Sequence, residues 1–452
     1  MSAPPAGVQP DSGTEPLALP GGAEGPALLS ALARRSLAGG GWALLTLGLG
    51  LAAGVARTLV VARLLGAHEL GVMGIALLAL GTAEALTAIG VDTALVSHPG
   101  DPRDDLDPAF TLQLARGVLV CALLWAAAPL VAAFFATPES VPVIRAVSVV
   151  ALLRGLANPG VALLVKRIEF GRLFWWSVPE VAVGFALAVG VALARRDVWA
   201  LVAAAVGAQA VATAASYAMM PWRPRLSLRA EAVRRLVHFG KWVGGSRALM
   251  FLSLNLDNAV VGRLLGTGAL GVYQLAFRIG ELGVATFTRA IVQVALPALS
   301  QLQGDRGRMR RAFLAMLRVV VAANCAFAAA LLLFAHPLVD RLLGPEWLPA
   351  VPVLRILAVA MVFRAVVVLT SELFHALRRP RLTFQVNAAR LGVMLLSIVP
   401  LTHAYGMPGA ALSVLLGGLF ATFLCLRHAR ICLDTERIGT LLRNRVSSRQ
   451  GR

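Results

Sequence analysis

Long apolar runs are the feature that most constrains the fold of this chain. They are about 18 to 25 residues long, the length that a helix needs to cross roughly 30 Å of hydrocarbon. Of the 452 residues, 58% are hydrophobic and only 14% are charged, whereas ordinary soluble domains carry about 25% charged residues. The sequence therefore predicts an all-α polytopic membrane protein and excludes a soluble globular fold. The runs place twelve transmembrane helices, at residues 41–62, 70–96, 112–135, 141–164, 174–194, 198–219, 242–262, 270–298, 314–335, 350–374, 382–400 and 407–426.

The segments outside these helices predict the domain boundaries. The first 28 residues are rich in Pro, Gly and small polar side chains, and no basic residue precedes an apolar core there. This composition favours a disordered cytoplasmic tail, residues 1–38, over a cleaved signal peptide. Two six-helix bundles, 39–220 and 241–427, follow in the chain. A basic cytoplasmic linker, 221–240, joins them, and a basic cytoplasmic tail, 428–452, ends the sequence.

The distribution of basic residues predicts the orientation in the membrane. The net charge of +19 would suggest nucleic-acid binding in a soluble chain, but the hydrophobicity excludes that interpretation. With both termini in the cytoplasm, 26 Lys and Arg residues lie in cytoplasmic segments and five lie outside. This bias fits the positive-inside rule. It predicts a multi-pass membrane protein with both termini cytoplasmic, in contact with membrane lipids.

An internal repeat divides the chain into halves. Residues 57–72 align without a gap on residues 257–272, and nine of the sixteen pairs are identical. Each copy covers the end of one predicted helix, a short external turn and the start of the next. With six helices in each half, the two copies enter the membrane in the same direction, so the halves are related by an axis along the membrane normal. The repeat predicts two pseudo-symmetric six-helix bundles around a central cavity.

Charged residues inside the predicted helices indicate where this cavity lies. Ionisable side chains are costly in hydrocarbon and normally face a bundle interior or a wet cavity. In the eighth helix, Gln274, Arg278 and Glu281 share one face with Arg289, and Arg278 and Glu281 are close enough in sequence to pair. We therefore expect a polar substrate-binding cavity. Its predicted binding residues are Arg57, Arg247, Arg278, Arg289, Arg364 and Gln274.

The acidic residues in the helices are candidates for gating or ion coupling, because an embedded carboxylate can carry H+ or Na+. Arg57 and Asp257 occupy equivalent positions of the repeat with opposite charge, so we expect them to pair as a gate in the inward-facing state. Two independently satisfied side chains are the alternative. The gating or coupling candidates are Asp257, Glu281, Glu84 and Asp92.

The chemistry of the cavity favours an anionic ligand. Guanidinium groups bind phosphate oxygens in pairs and stay charged when partly desolvated. Because the chain has forty arginines and two lysines, the location of these charges counts for more than their identity. We find no motif for nucleotide binding, hydrolysis or metal binding, and so we predict no enzyme, no metal and no cofactor. Gly48, Gly50 and Gly54 predict a helix-packing surface and not a nucleotide loop.

Short motifs in a defined order carry a family resemblance over about residues 34–430. The chain resembles the bacterial oligosaccharide and polysaccharide flippases of the multidrug/oligosaccharidyl-lipid/polysaccharide superfamily, in particular the branch that includes colanic acid exporters. These are proteins of lipopolysaccharide or exopolysaccharide biosynthesis. The motifs lie at residues 60–71, 91–96, 162–170, 239–240, 254–257, 262–266, 270–276 and 294–298.

This resemblance implies a V-shaped pair of bundles that flips an undecaprenyl-diphosphate-linked oligosaccharide from the cytoplasmic to the periplasmic leaflet by alternating access. It also implies a location in the bacterial inner membrane, an oligosaccharide-lipid substrate, and a basic residue of the eighth helix, Arg278 or Arg289, in the cavity. We expect H+ or Na+ as a coupling ion at the acidic residues named above, and a polysaccharide polymerase as a partner. A cation-coupled multidrug antiporter of the same superfamily is the alternative. It is disfavoured because its typical acidic residue in the first helix has no counterpart in residues 41–62.

Overall fold

In the computed structural model, residues 25–88, 90–91, 95, 103–166, 169–220, 222–227 and 229–450 are described, and every regular element within them is a helix. The N half contains five long helices, one helix of 17 residues and one short helical segment. They are α1 (Gly25–Leu64), α2 (Ala67–Leu86), α3 (Arg103–Phe134), α4 (Ser140–Leu156), α5 (Val161–Lys166), α6 (Phe170–Arg195) and α7 (Trp199–Met219).

The C half begins with α8 (Ala230–Gly283), whose backbone turns at Gly266 (φ +84°). Glycine suits this position because it adopts positive φ without a Cβ clash. The residues before and after Gly266 are called here the first and second arms of α8. A π-helical turn (Val284–Thr288) leads directly from the second arm into α9 (Arg289–Gln301). The remaining helices are α10 (Arg306–Leu342), α11 (Ala350–Ala376), α12 (Pro380–Tyr405) and α13 (Met407–Gln450).

These helices confirm the predicted all-α membrane fold. Among the described residues, ten helices are long and apolar enough to cross a membrane, and one of them is the continuous segment Ala248–Gln301. Because that segment turns at Gly266, it supplies two spans. Helix α4, with 17 residues, completes six spans in each half. The face at which α1 begins and α13 ends is called the terminal face, and the face with the turn between α1 and α2 is called the opposite face.

Several boundaries differ from the prediction. Helix α1 begins at Gly25, within the segment 1–38 predicted as a tail, and the earlier residues of that segment lie outside the described part of the chain. Helix α8 begins at Ala230 within the predicted linker, and α13 continues to Gln450 through the predicted tail 428–452. These segments contain many Ala, Leu and Arg residues, which propagate a helix well. Hydropathy marks where a helix can lie in lipid, but it does not mark where the helix ends.

Packing joins the two halves mainly at the opposite face. The largest buried core includes Ala62 and Ile75 of the N half together with Tyr273 and Trp347 of the C half. Three other buried clusters of the described residues belong to one half each, one around Phe313 in the C half and two, around Leu65 and Leu106, in the N half. Large apolar side chains such as Leu333 and Leu396 are exposed on the outside, as expected where lipid replaces water.

The contacts at the opposite face come from the two copies of the repeat. A Cβ atom on Gly71 would overlap the backbone carbonyl of Thr267, and one on Gly271 would overlap that of Ala67. His68 contacts the Thr267 hydroxyl at 2.7 Å through Nδ1. Trp347, which is buried and lies outside the repeat, donates a hydrogen bond of 3.1 Å from its indole to the carbonyl of Ala62 in the first copy. The halves therefore meet at backbone-to-backbone distance on this face.

Candidate substrate-binding cleft

Arg278 lies where three adjoining cavities meet between the two halves. The cavities have volumes of about 240, 180 and 380 Å³, and Arg278 lines all of them. Its position follows from the second arm of α8, which runs from the contact at Gly271 toward the terminal face. At 1.5 Å per residue, residue 278 lies about 10 Å from Gly271 along the helix axis. The three cavities together are called here the central cleft.

The cleft collects most of the residues predicted for it. Arg57 of α1 and Gln274 line the second cavity together with Arg278. Arg289 lines the first cavity and Arg364 of α11 lines the third. The structure therefore brings together five of the six predicted binding residues. The sixth, Arg247, lies in α8, but its side chain is outside the described part of the structure.

Glu281 sits between two of these arginines. Its Oε1 atom lies 3.1 Å from Nη2 of Arg364 and 3.7 Å from Nη2 of Arg289. The guanidinium of Arg364 also stacks over the ring of Phe277, 5.8 Å from its centroid. The cleft thus holds four arginines and one carboxylate, and its formal charge is strongly positive.

Arg278 and Glu281, which their spacing allows to pair, do not form an ion pair in the structure. Glu281 pairs with Arg364 and Arg289 instead, and within the described residues Arg278 has no carboxylate within 4 Å. Sequence spacing allowed the intrahelical pair, but Arg364 approaches from another helix with its side chain only 18% exposed. A partly buried guanidinium needs a carboxylate more than the cavity-facing Arg278 does.

The π-helical turn below Glu281 changes the direction of the side chains that follow it. Thr288 at its end is buried and accepts a hydrogen bond of 2.9 Å from the Asn324 amide. It therefore faces the C-half core, although simple helical spacing puts it with Glu281 and Arg289. Arg289, the next residue, lines the cleft. Turns of this kind are rare and often occur at functional sites, and neither hydropathy nor residue spacing indicates this one.

The predicted gate between Arg57 and Asp257 is not formed. Asp257 is 1% exposed, accepts a hydrogen bond of 2.8 Å from the Tyr273 hydroxyl and one of 3.0 Å from the amide of Asn258. Arg57 lies instead in the cleft with Arg278. A buried carboxylate requires donors close by, and Asp257 finds them within its own half. The contact that closes the opposite face is the glycine packing of the repeat.

Of the other two acidic candidates, Glu84 lies away from the central cleft. Glu84 accepts a hydrogen bond of 2.6 Å from Nη1 of Arg154 and lines a separate cavity within the N half. Asp92 lies outside the described residues, so its proposed role stays a prediction.

Sequence reasoning missed several residues of the cleft. Asn255, Asn258 and Phe277 line its third cavity, and their spacing along α8 does not distinguish them from packing residues. Gly50 and Gly54 of α1 line the first cavity, and a Cβ on either would meet no atom within 4 Å. The predicted helix-packing role of these glycines is therefore wrong. They form an open, shallow wall.

The described residues contain no group of three or more His, Cys, Asp or Glu side chains placed to hold a metal ion. The polar groups of the cleft are guanidinium donors, amides and one carboxylate. This set can bind and orient an anion through several hydrogen bonds at once.

Comparison with known sequences places the chain among proteins of surface polysaccharide synthesis. Residues 60–352 match the family described as "Polysaccharide biosynthesis protein". The chain is 24% identical over 399 residues to the lipopolysaccharide biosynthesis protein WzxC of Escherichia coli K12, across 87% of this chain and 80% of that protein. It is 26% identical over 301 residues to the succinoglycan biosynthesis transport protein ExoT of Rhizobium meliloti, across 67% of this chain and 61% of that protein.

Solved structures share the fold at lower identity. The lipid II flippase MurJ in an inward closed conformation matches with a TM-score of 0.70 and 14% identity, over 87% of each chain. An inward-facing multidrug resistance transporter of the MATE family matches with a TM-score of 0.68 and 17% identity, over 86% of this chain and 95% of that one. The two six-helix halves around a central cavity are therefore the architecture of a known transporter fold.

Proposed function

Because this chain belongs to the polysaccharide biosynthesis protein family, we propose that it flips an undecaprenyl-diphosphate-linked oligosaccharide across the bacterial inner membrane. The movement runs from the cytoplasmic to the periplasmic leaflet and supplies the synthesis of a cell-surface polysaccharide. The protein breaks and forms no covalent bond in this activity. The polymerase that consumes the flipped repeat unit is its expected partner.

The arginines of the central cleft carry this proposal. A diphosphate at membrane depth needs charge compensation, and Arg57, Arg278, Arg289 and Arg364 provide four guanidinium groups around connected cavities. Each guanidinium can bind two phosphate oxygens in one plane. Arg278, which has no carboxylate partner in the described residues, is the group best prepared to receive the diphosphate.

A groove between α1 and the second arm of α8 suits the lipid chain. Its walls carry Gly50 and Gly54 on one side and Ile279 and Leu282 on the other. These are small or apolar side chains, and Arg278, Glu281 and Arg289 line the same cavity. A prenyl chain can remain in the bilayer through this lateral opening while its diphosphate lies on the arginines.

Alternating access follows from how the halves are joined. They pack closely at the opposite face around Gly71 and Thr267, whereas α9 packs against α10 and α11 of its own half. The basic bias of the sequence supports a cytoplasmic terminal face, and with that orientation this arrangement receives substrate from the cytoplasmic leaflet. Separation at the opposite face would then release the substrate to the periplasm.

Glu281 and Asp257 are the residues that we assign to gating and coupling. A phosphate that enters the cleft competes with Glu281 for Arg364 and Arg289, which frees the carboxylate to take up H+ or Na+. Asp257 holds the first and second arms of α8 together through Tyr273. A change in the charge of either carboxylate would therefore act on the helix that lines the cleft and touches the N half.

A multidrug antiporter shares the fold but fits the cleft less well. Its cationic substrates would be repelled by four arginines that outnumber the single carboxylate. We therefore keep it only as the second candidate, because the MATE structure resembles this chain over most of its length.

The test uses sealed proteoliposomes with a labelled undecaprenyl-diphosphate oligosaccharide, and it follows access of an added glycan-modifying enzyme to each leaflet. We expect protein-dependent redistribution that falls at least about tenfold in Arg278→Ala, since a charge-assisted hydrogen bond contributes about 1.5–3 kcal/mol. Arg278→Lys should keep part of the rate if charge alone matters. The matched control is Arg318→Ala, because Arg318 is exposed on α10 and bonds only to its own helix among the described residues. Full flipping by Arg278→Ala, or efflux of a cationic dye without flipping, would contradict the proposal.

A further inference from the structure

A further cavity, larger than each of the three cavities of the cleft, lies inside the N half and is called here the N-half cavity. Its volume is about 720 Å³, within the range of about 300–1,000 Å³ that is usual for small-molecule sites. It is formed by α2, α3, α4, α6 and α7 toward their ends at the terminal face. The arginines of the central cleft do not line it, and the flipping mechanism above makes no use of it.

Arg154 connects two other polar side chains of this cavity. Arg154 donates to the Glu84 carboxylate at 2.6 Å and to the Gln209 side-chain oxygen at 3.0 Å. Arg116 donates to the backbone carbonyl of Glu84 at 2.9 Å. Glu180 also lines the cavity. Two carboxylates and two guanidinium groups therefore balance each other, in contrast to the net positive charge of the cleft.

An aromatic side chain forms part of the wall. Trp176 lines the cavity, and its indole nitrogen donates a hydrogen bond of 3.1 Å to the carbonyl of Ala212. This bond fixes the ring on α6. A fixed indole next to closely spaced donors and acceptors offers an apolar surface and polar groups to the same ligand.

One helical turn connects this cavity to the cleft. Glu180 and Gly184 lie four residues apart on α6 and thus on the same face. A Cβ on Gly184 would lie 3.8 Å from Nη1 of Arg57, and Arg57 lines the cleft. The N-half cavity and the cleft therefore approach each other to within about one turn of α6 near Arg57.

We infer that the N-half cavity binds the sugar residues of the lipid-linked substrate, and that Gln209, Glu180 and Trp176 contribute to the choice of glycan. This inference rests on the proposed function. The ligand is an uncharged, hydroxyl-rich saccharide, because a cavity with balanced charges and many paired donors and acceptors favours hydroxyl groups over a phosphate. A bare metal cation suits the cavity poorly, since the Glu84 carboxylate is already paired with Arg154.

The experiment measures binding by the full-length protein in lipid nanodiscs with two probes. One is undecaprenyl diphosphate alone, and the other is the lipid-linked oligosaccharide extracted from the source bacterium. Gln209→Ala and Glu180→Gln should weaken binding of the glycan-bearing lipid about tenfold and leave that of the bare diphosphate within about twofold. Neither change removes the ion pair of Glu84 with Arg154, and unchanged thermal unfolding verifies the fold. Gln303→Ala is the matched control, because Gln303 bonds to the carbonyl of Ala376 in the C half.

The outcomes separate this inference from the proposed function. If the N-half variants bind both lipids like the wild type, or weaken both equally, the glycan site is overturned. Arg278→Ala tests the function in the same assay, and it should weaken binding of both lipids. An Arg278→Ala variant that binds both lipids normally would overturn the proposed function, whatever the N-half variants show.

Discussion

Gly71 and Gly271 make reciprocal contacts, because each packs against a backbone carbonyl that lies four residues before the other. Gly71 lies against the carbonyl of Thr267, and Gly271 lies against the carbonyl of Ala67. Residues 67 and 267, like 71 and 271, are equivalent in the repeat and 200 residues apart. The same contact is thus made twice, once on each side of the pseudo-two-fold axis, and it holds α2 against the second arm of α8.

We expect Gly71→Ala to open the opposite face, because an added methyl group has no room against the Thr267 carbonyl. The measurement is labelling of a cysteine introduced at Ala67 with a membrane-impermeant maleimide from the periplasmic side, and the labelling rate should rise severalfold. Gly392→Ala is the control, since a Cβ at Gly392 meets no atom within 4 Å. Equal labelling in the two variants would show that this contact does not close the face.

Replacing Glu281 with Gln should increase the affinity of the cleft for anions. The change removes the carboxylate that Arg364 and Arg289 share, and so both become available to phosphate. We expect about fivefold tighter binding of undecaprenyl diphosphate, or ~1 kcal/mol, together with slower release and slower flipping. The affinity is measured by binding of undecaprenyl diphosphate in nanodiscs at several salt concentrations. The control is Glu372→Gln, which removes a carboxylate beside His375. Weaker binding in Glu281→Gln would mean that Glu281 positions the arginines.

Tyr273→Phe should destabilise the protein, because Asp257 would lose a donor while it stays buried. The expected cost is about 1–3 kcal/mol, seen as a lower midpoint of thermal unfolding in detergent. Tyr405→Phe provides the comparison, since Tyr405 is 63% exposed at the end of α12. If the two variants have the same midpoint of thermal unfolding, the hydrogen bond to Asp257 contributes nothing to stability.

The groove along α1 predicts a variant that separates head-group binding from lipid passage. Gly54→Leu would fill the open wall between α1 and the second arm of α8. We expect normal binding of a short-chain isoprenyl diphosphate but at least tenfold slower flipping of the undecaprenyl substrate. Gly190→Leu on α6 introduces the same side chain at a glycine with open space around it. Normal flipping by Gly54→Leu would place the lipid chain elsewhere.

The fold could be predicted from the sequence because membrane helices are visible as long apolar runs. The arginines that line the cleft could also be predicted, since a charged side chain within a membrane helix normally faces a wet cavity or the bundle interior. The side-chain contacts could not be predicted where the partner comes from a distant part of the chain. Arg364 reaches Glu281 from a distant helix, Tyr273 satisfies Asp257, and the π-helical turn moves Thr288 into the core. The N-half network of Arg154 and Gln209 was missed because its members are spread over separate helices without a shared motif.

The position of Glu281 also matters when no substrate is bound. A carrier that has released its cargo must return to its starting side, and a bare group of arginines would have to bring small anions along as counter-ions. Glu281 provides a fixed counter-ion that belongs to the protein and neutralises part of the charge on Arg364 and Arg289. We therefore expect the empty protein to need one fewer small anion, such as chloride or free phosphate, when it resets.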